Sequence, residues 1–314
     1  MNAPQREPSP GPPNGVDLSV SLGTLRLANP IIAAGGTFGY GIEFAGLVDL
    51  NRLGGLVVKG LSARPMDGGP GPRLCETASG IVNAVGLQNV GVRAFVADKL
   101  PLLRRYRTAV IANVFGRTMP EYVEVIRVLE EAEGLAAYEL NISCPNVEAG
   151  GAEFSTEPSI AAAVVSAARK VACRPLWVKL APSVGRIEVF AKAAEESGAD
   201  ALTVANTYPA LCLDVHTRRP RLGSTTGGLS GPAIKPITVR LVYDVSRVVG
   251  IPVIGLGGIE SPEDVMEYLL AGASAVQVGT AHFVDPTASE KLVKGLETLC
   301  DREMVFKISD LRRI

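Results

Sequence analysis

The sequence lacks a charge imbalance, cysteine pairs and long apolar runs, and each absence removes a class of function. Lys and Arg number 31 against 32 Asp and Glu, with two His, for a formal net charge of −1. The basic footprint of a nucleic-acid-binding domain is therefore missing. No window reaches the ~18 consecutive apolar residues of a membrane-spanning helix. The opening MNAPQREPSPGPPNG has no apolar stretch of the kind a secretory leader carries. Five cysteines, at 75, 144, 173, 212 and 300, form an odd set with no C-x-x-C pair. That argues against a disulfide framework or a zinc ribbon. The expectation is a globular, cytoplasmic protein with reduced thiols, engaging neither nucleic acid nor membrane.

Glycine and proline are what the chain has in excess, 34 and 22 in 314 residues, where together they usually make up about 12%. With 47% apolar residues the chain can bury a sizeable core, so the glycine is expected at turns and ligand contacts. Residues 1–14 hold five of the prolines and read as a disordered tail, leaving 15–314 as a single domain.

VDLSVSLGTLRLANP (16–30) alternates apolar and polar residues about Leu22-Gly23-Thr24, as a short hairpin would. Eight short apolar runs follow, at 30–34, 55–59, 109–113, 137–141, 176–180, 201–206, 252–256 and 275–279. They are continuous rather than alternating, like parallel strands buried on both faces. Helical patterns fall between them. Residues 121–134 put Tyr122, Val125, Ile126 and Leu129 on one face and end at Gly134 as a C-cap. Helices are also expected over 158–172, 187–198 and 261–272, the last with a Ser261 N-cap and Pro262 at its first position. Strict alternation predicts an α/β fold, the (β/α)8 TIM barrel. Strand starts lie 25, 54, 28, 39, 25, 51 and 23 residues apart, against about 25–30 for a bare βα unit. Long loops are thus expected after strands 2, 4 and 6, on the face where barrels build active sites. A doubly wound sheet fits less well, because GGTFGYG (35–41) lacks the G-x-G-x-x-G spacing.

Polar residues end several apolar strands: Lys59, Asn113, Asn141, Lys179 and Asn206. A lysine there is costly unless it meets an anion or a polar ligand, and five such ends converge on one barrel mouth. GLGGI (255–259) and VGTAHF (278–283) follow strands 7 and 8, where barrel phosphate sites occur. Gly257, Gly258 and Gly279 would admit phosphate oxygens to backbone N–H groups, although each pair alone also fits a plain βα turn. NISCPNV (141–147) sets Cys144 between Asn141 and Asn146. A thiol of ordinary pKa, about 8.5, suits a base at mildly alkaline pH, and asparagine amides match a planar imide. A Schiff-base aldolase with Lys179 as nucleophile is an alternative that leaves Cys144 and the asparagines without work.

GTFGYG (36–41), NAVGLQN (83–89), IANV (111–114), ELNISCPNV (139–147), VKLAPSV (178–184), TGGLSGPAIKP (226–236), PVIGLGGI (252–259) and GASAVQVGTAHF (272–283) occur in this order. Together they resemble the class 1 dihydroorotate dehydrogenases, and TGGLSGPAIKP resembles the class 1B catalytic subunit in particular. The resemblance implies oxidation of (S)-dihydroorotate to orotate in de novo pyrimidine (UMP) biosynthesis. It implies FMN at the barrel mouth, its phosphate held by Gly257, Gly258, Gly279 and Thr280 with Gly231 nearby. Lys179 would lie by the isoalloxazine, and Gly35, Lys59, Gly60, Asn113, Asn141 and Ala205 would also contact the cofactor. Dihydroorotate would be gripped by Lys59, Asn83, Asn141, Asn146, Asn206 and Thr207, with Ala84, Val85, Gly86 and Leu87 closing over it. Cys144 would take the C5 proton while hydride passes from C6 to flavin. No metal site is expected. The chain has neither a four-cysteine cluster signature nor a Rossmann fingerprint, so passage of electrons to NAD implies a separate subunit carrying FAD and a 2Fe–2S cluster. A homodimer, or a heterotetramer with that subunit, is the expected assembly, and a fumarate-using class 1A-like enzyme is the alternative. Gly60, Ala205 and His282 depart from the family's usual residues. Cys75 and Cys212 read as incidental loop thiols, HTRRPR (216–221) as a solvated loop and Trp177 as core.

Overall fold

The protein is described by a computed structural model covering residues 15–143, 157–311 and 314. The expected hairpin is present: β1 (Val20–Leu22) pairs antiparallel with β2 (Leu25–Leu27) around Gly23, whose φ of 63° suits the turn. Gly23 lies against Asp200, and Val20, Leu22 and Leu27 are buried in the main core, so the hairpin packs under the barrel's N-terminal end.

The chain then runs through β3 (Ile31–Ala33), β4 (Gly55–Val57), β5 (Leu74–Thr77), β6 (Gly80–Asn83), β7 (Ala109–Val114), β8 (Ala137–Asn141), β9 (Leu176–Lys179) and β10 (Ala201–Val204). After these come β11 (Tyr208–Ala210), β12 (Leu213–Asp214), β13 (Arg219–Pro220), β14 (Gly227–Ser230), β15 (Val253–Leu256) and β16 (Ala275–Val278). Strands β3, β4, β7, β8, β9, β10, β15 and β16 form a closed parallel barrel, and the Val276↔Ile31 register joins the last strand to the first. Strands β8, β9, β10, β15 and β16 are buried along their whole length, as strands covered on both faces must be. Trp177, on β9, is fully buried.

The helices are α1 (Val92–Ala94), α2 (Leu100–Leu103), α3 (Met119–Glu130), α4 (Pro158–Arg169), α5 (Ile187–Glu196), α6 (Lys235–Ser246), α7 (Pro262–Leu270), α8 (Ala281–Val284) and α9 (Ala288–Arg302). Helix α7 starts as its sequence predicts: the Asp264 amide donates to Ser261 Oγ at 3.1 Å, and the Ser261 amide donates back to the Asp264 carboxylate at 2.9 Å. Gly134 does not cap α3. The helix tightens at its end, where the Ala132 amide donates to the Leu129 carbonyl. Gly134 (φ 96°) instead makes a later turn beneath Arg104, whose Nε donates to the Glu133 carbonyl at 2.9 Å. No helix among the described residues is long and apolar enough to cross a membrane.

Two of the expected strands stop short. The second ends at Val57 and the sixth at Val204, so Lys59 and Asn206 stand two residues past the ladder. Their amides leave the barrel for loop carbonyls, Lys59 N donating to Gly39 O at 2.8 Å and Asn206 N to Leu180 O at 3.0 Å. The long segments after β4 and β10 are not independent loops. They combine into one four-stranded antiparallel sheet, ordered β11-β14-β6-β5. Cys75, expected in a loop, is therefore a buried residue of β5. The excursion expected after strand 4 lies outside the described residues, as do Cys144 and Asn146.

Candidate active site at the barrel mouth

A buried carboxylate organises the barrel interior below the mouth. Glu139, on β8, is fully buried and accepts from three strands. Asn113 Nδ2 of β7 donates at 2.7 Å, Thr203 Oγ1 of β10 at 2.8 Å, and Gln277 Nε2 of β16 at 2.5 Å. Without such donors, burying the ionised carboxylate would cost more than burying a neutral polar group, several kcal/mol even after relaxation. Lys179 of β9 is almost buried beside this group. Burial pushes its ammonium pKa below the usual lysine value, and the charge of Glu139 pulls the other way. No oxygen among the described residues accepts from that ammonium. Asn113 and Lys179 belong to the expected set; Glu139, Thr203 and Gln277 were missed. Their signal was present, a polar residue in the middle of AYELN, ALTV and AVQV, each with apolar residues on both sides of it.

Asn141 stands two residues past Glu139 on the same strand face, one layer nearer the mouth. Ser143 Oγ donates to Asn141 Oδ1 at 3.0 Å, and Asn206 Nδ2 reaches both Ser143 Oγ and Asn141 Oδ1, at 2.5 and 3.4 Å. From α3, Tyr122 Oη donates to the Asn141 carbonyl at 2.8 Å. Asn141 and Asn206, expected together, are together.

The sheet built from the two excursions brings Asn83 and Thr207 to the same end of the barrel. Asn83 Nδ2 donates to the Gly228 carbonyl at 3.1 Å, and a Cβ on Gly228 would fall 2.0 Å from Thr207 Oγ1. The turn after Asn83 passes through Gly86 (φ 71°) and Leu87 (φ 59°). Positive φ is rare for leucine and marks a conformation that surrounding bonds must impose. Here Asn89 Nδ2 donates to the Leu87 carbonyl at 2.8 Å, and the Ala84 amide donates to the Arg73 carbonyl at 2.8 Å. The Val85 carbonyl accepts from Gly69 N at 3.0 Å. Lys59 is half-buried nearby; burial, and then the Arg73 guanidinium, lower its pKa. Its ammonium also has no hydrogen-bond or ion-pair partner among the described residues. Gly35 and Gly60 keep the floor open: a Cβ on Gly60 would stand 2.9 Å from Asn113 Oδ1, and one on Gly35 3.0 Å from the Val58 carbonyl.

The glycine loops form a second, adjoining feature. A Cβ on Gly258 would come within 2.7 Å of the Gly231 carbonyl, and one on Gly231 within 3.4 Å of Thr280 Cγ2. Thr280 Oγ1 donates to Ser230 Oγ at 2.8 Å. The amides of Gly257, Gly258, Gly279 and Thr280 donate to no acceptor among the described residues. Tyr268 Oη braces the loop from below by donating to the Gly257 carbonyl at 2.7 Å. Free amides on adjoining glycine loops are the groups from which an anion cradle can be built, and these loops are the candidate cradle. Lys235 is not part of it, since its ammonium is taken by Asp264 and Glu267 at 2.6 and 2.8 Å. Ala205 is buried at the end of β10, next to a cis Val204–Ala205 peptide. His282 is buried behind the cradle with its ring 4.7 Å from that of Phe38 and its Nε2 2.8 Å from Ser289 Oγ. Burial lowers its pKa to about 4, so it is neutral at pH 7.

A family model described as dihydroorotate dehydrogenase matches residues 17–300. The chain belongs to the dihydroorotate dehydrogenase family. It is 58% identical over 294 residues to a putative dihydroorotate dehydrogenase A (fumarate) of Solibacter usitatus, covering 94% of this chain and 97% of that one. It is 50% identical over 295 residues, with the same coverage, to the catalytic subunit of dihydroorotate dehydrogenase B (NAD(+)) of Pelobacter propionicus. Among solved structures, dihydroorotate dehydrogenase of Eimeria tenella in complex with ferulenol superimposes with a TM-score of 0.79 at 21% identity, covering 95% of this chain and 88% of that one. That likeness supports the barrel alone. For a dihydroorotate dehydrogenase, an oxidoreductase, the aldolase reading of Lys179 falls away.

Proposed function

We propose that this dihydroorotate dehydrogenase binds FMN at the barrel mouth and oxidises (S)-dihydroorotate to orotate. The observation that carries the reading is the presence, at one end of the barrel, of glycine loops with free amides, two lysines whose ammonium groups have no hydrogen-bond acceptor among the described residues, and an amide cluster. The residues fit the cofactor. Gly257, Gly258, Gly279 and Thr280, with Gly231 beside them, would hold the phosphate; Gly35, Lys59, Gly60, Asn113, Asn141, Lys179 and Ala205 would line the ring. Bound FMN supplies the hydride-accepting chemistry that side chains lack.

The chain supplies binding, orientation and a base. Lys59 would pair with the substrate carboxylate, and Asn83, Asn141, Asn146, Asn206 and Thr207 would satisfy the ring's amide donors and acceptors. The 84–87 turn would exclude water from above. Cys144 would accept the C5 proton as its thiolate, the form that increases with pH. The reaction belongs to de novo UMP synthesis in the cytoplasm. Electrons would pass on to NAD through a partner subunit bearing FAD and a 2Fe–2S cluster, around a homodimer of this chain. One observation favours a second acceptor: the relative at 58% identity is named for fumarate. The decisive experiment is anaerobic addition of dihydroorotate to purified, FMN-loaded protein. Bleaching near 450 nm, with stoichiometric orotate, is expected; an unbleached flavin would overturn the reading.

A further inference from the structure

Two thiols from opposite excursions join one apolar cluster on the sheet that carries Asn83 and Thr207. Cys75 is buried on β5, opposite Val82 of β6. Cys212 follows β11 and is half-buried. Both pack into one small apolar cluster with Val82, Leu222 and Leu229, separate from the barrel core. Backbone bonds hold the segments side by side: Gly223 N donates to the Pro72 carbonyl at 2.7 Å, and Arg221 N to the Cys212 carbonyl at 2.9 Å. Both side chains share that cluster, Cys75 is among the groups that raise the Cys212 pKa, and Cys75 Sγ lies 3.5 Å from the Glu76 carbonyl. One thiol rides on the arm bearing Asn83 and the 84–87 turn, the other on the arm bearing Thr207.

We propose that Cys75 and Cys212 are a redox modification site, forming a reversible disulfide that clamps the two arms over the mouth. The oxidant is a low-molecular-weight disulfide such as oxidised glutathione. The Cys212 thiolate, on the more accessible side, attacks one glutathione sulfur and expels a glutathione thiolate. The Cys75 thiolate then attacks Cys212 Sγ in the mixed disulfide, expelling the second. The pair loses two protons and two electrons, and one glutathione disulfide becomes two thiols. Burial and the neighbouring Cys75 thiol raise the Cys212 pKa, so the link forms slowly at neutral pH and faster at alkaline pH. A clamped sheet cannot open for exchange of a bound molecule, and such opening limits turnover in many enzymes.

The effect on turnover, though not the link itself, rests on the proposed dihydroorotate site. The FMN-loaded protein is treated with oxidised glutathione and its peptides mapped without reduction, alongside the C75S and C212S variants. A cross-linked Cys75–Cys212 peptide pair, lighter by two hydrogens, is expected. Dihydroorotate–dye turnover is expected to fall about tenfold and to return with dithiothreitol, whereas both variants keep their turnover under oxidant. Glutathione on Cys173 with no cross-linked pair would overturn the proposal, as would a link that leaves turnover unchanged. Equal loss in C212S would assign the effect to another thiol, which also overturns it. Absence of turnover in the reduced, untreated protein would instead count against the dihydroorotate reading, leaving the peptide map to judge the link.

Discussion

Glu139 shows how one side chain can set the chemistry of several others. Its three donors fix Asn113, Thr203 and Gln277, and its charge partly offsets the burial that weakens the Lys179 ammonium. Glu139→Gln keeps the volume but removes the charge and presents an N–H₂ group to donors. Stability should fall by about 1–3 kcal/mol, read by urea unfolding. The Lys179 pKa should drop further, so FMN binding, followed by flavin fluorescence against pH, should weaken at a lower alkaline pH than in the wild type. An unshifted profile would separate Glu139 from Lys179. Cys144→Ala should retain FMN but slow anaerobic flavin reduction by about 10²–10⁴-fold, measured by stopped flow; near-normal reduction would remove the base assignment. Because the lowered pKa of Lys59 lets its cation disappear before the ordinary value of about 10.4, KM for dihydroorotate should begin to rise below that pH. The neutral His282 makes a separate claim. Its folded pKa, about 4, lies below the usual histidine value of 6.5, so the unfolded chain binds its proton first as pH falls. Stability present above about pH 6.5 should be lost between there and pH 4, by roughly 3 kcal/mol. His282→Asn should flatten that part of the pH–stability curve.

Among the elements, those set by a local pattern were legible and those set by distant pairing were not. The eight barrel strands are short continuous apolar runs, and the start of α7 is written in Ser261, Pro262 and Asp264. The β11-β14-β6-β5 sheet has no comparable signature. Its strands run three or four residues, β14 reads GGLS, and its pairings join segments far apart in the chain. Only the surplus length after strands 2 and 6 hinted at it, and length does not specify register. The same limit applies to the Cys75–Cys212 encounter, which depends wholly on that sheet. The site divides likewise. Polar strand ends and glycine turns could be read directly, whereas Glu139, Thr203 and Gln277 needed the barrel's closure to show that they converge. At the cradle, Gly258 combines a φ of 66° with an approach that leaves 2.7 Å between a Cβ and the Gly231 carbonyl. Gly258→Ala should therefore push the two loops apart and lower FMN affinity by about tenfold or more, roughly 1.4 kcal/mol. Flavin released on dilution, followed by fluorescence, checks this; unchanged affinity would remove Gly258 from the phosphate site.

At the scale of the whole molecule, the position of the hairpin constrains the kinetics. Strands β1 and β2 pack under the barrel's N-terminal end, with Gly23 against Asp200, and the candidate site faces the other end. Substrate and any small acceptor that meets the flavin directly must then share one entrance. An acceptor served through a partner subunit need not enter at all, since its electrons leave by another route. The two acceptor readings therefore predict different inhibition patterns. If fumarate reoxidises the enzyme, orotate should compete with it, and the chain alone should turn over. If NAD is the acceptor, the chain alone should reduce its flavin with dihydroorotate yet stall on adding NAD, and turnover should start when the FAD- and iron–sulfur-bearing subunit is supplied. In that assembly orotate should compete with dihydroorotate but leave the KM for NAD unchanged. Steady-state turnover of the isolated chain with fumarate, at the rate of flavin reduction, would overturn the NAD reading and place the enzyme with its fumarate-named relative.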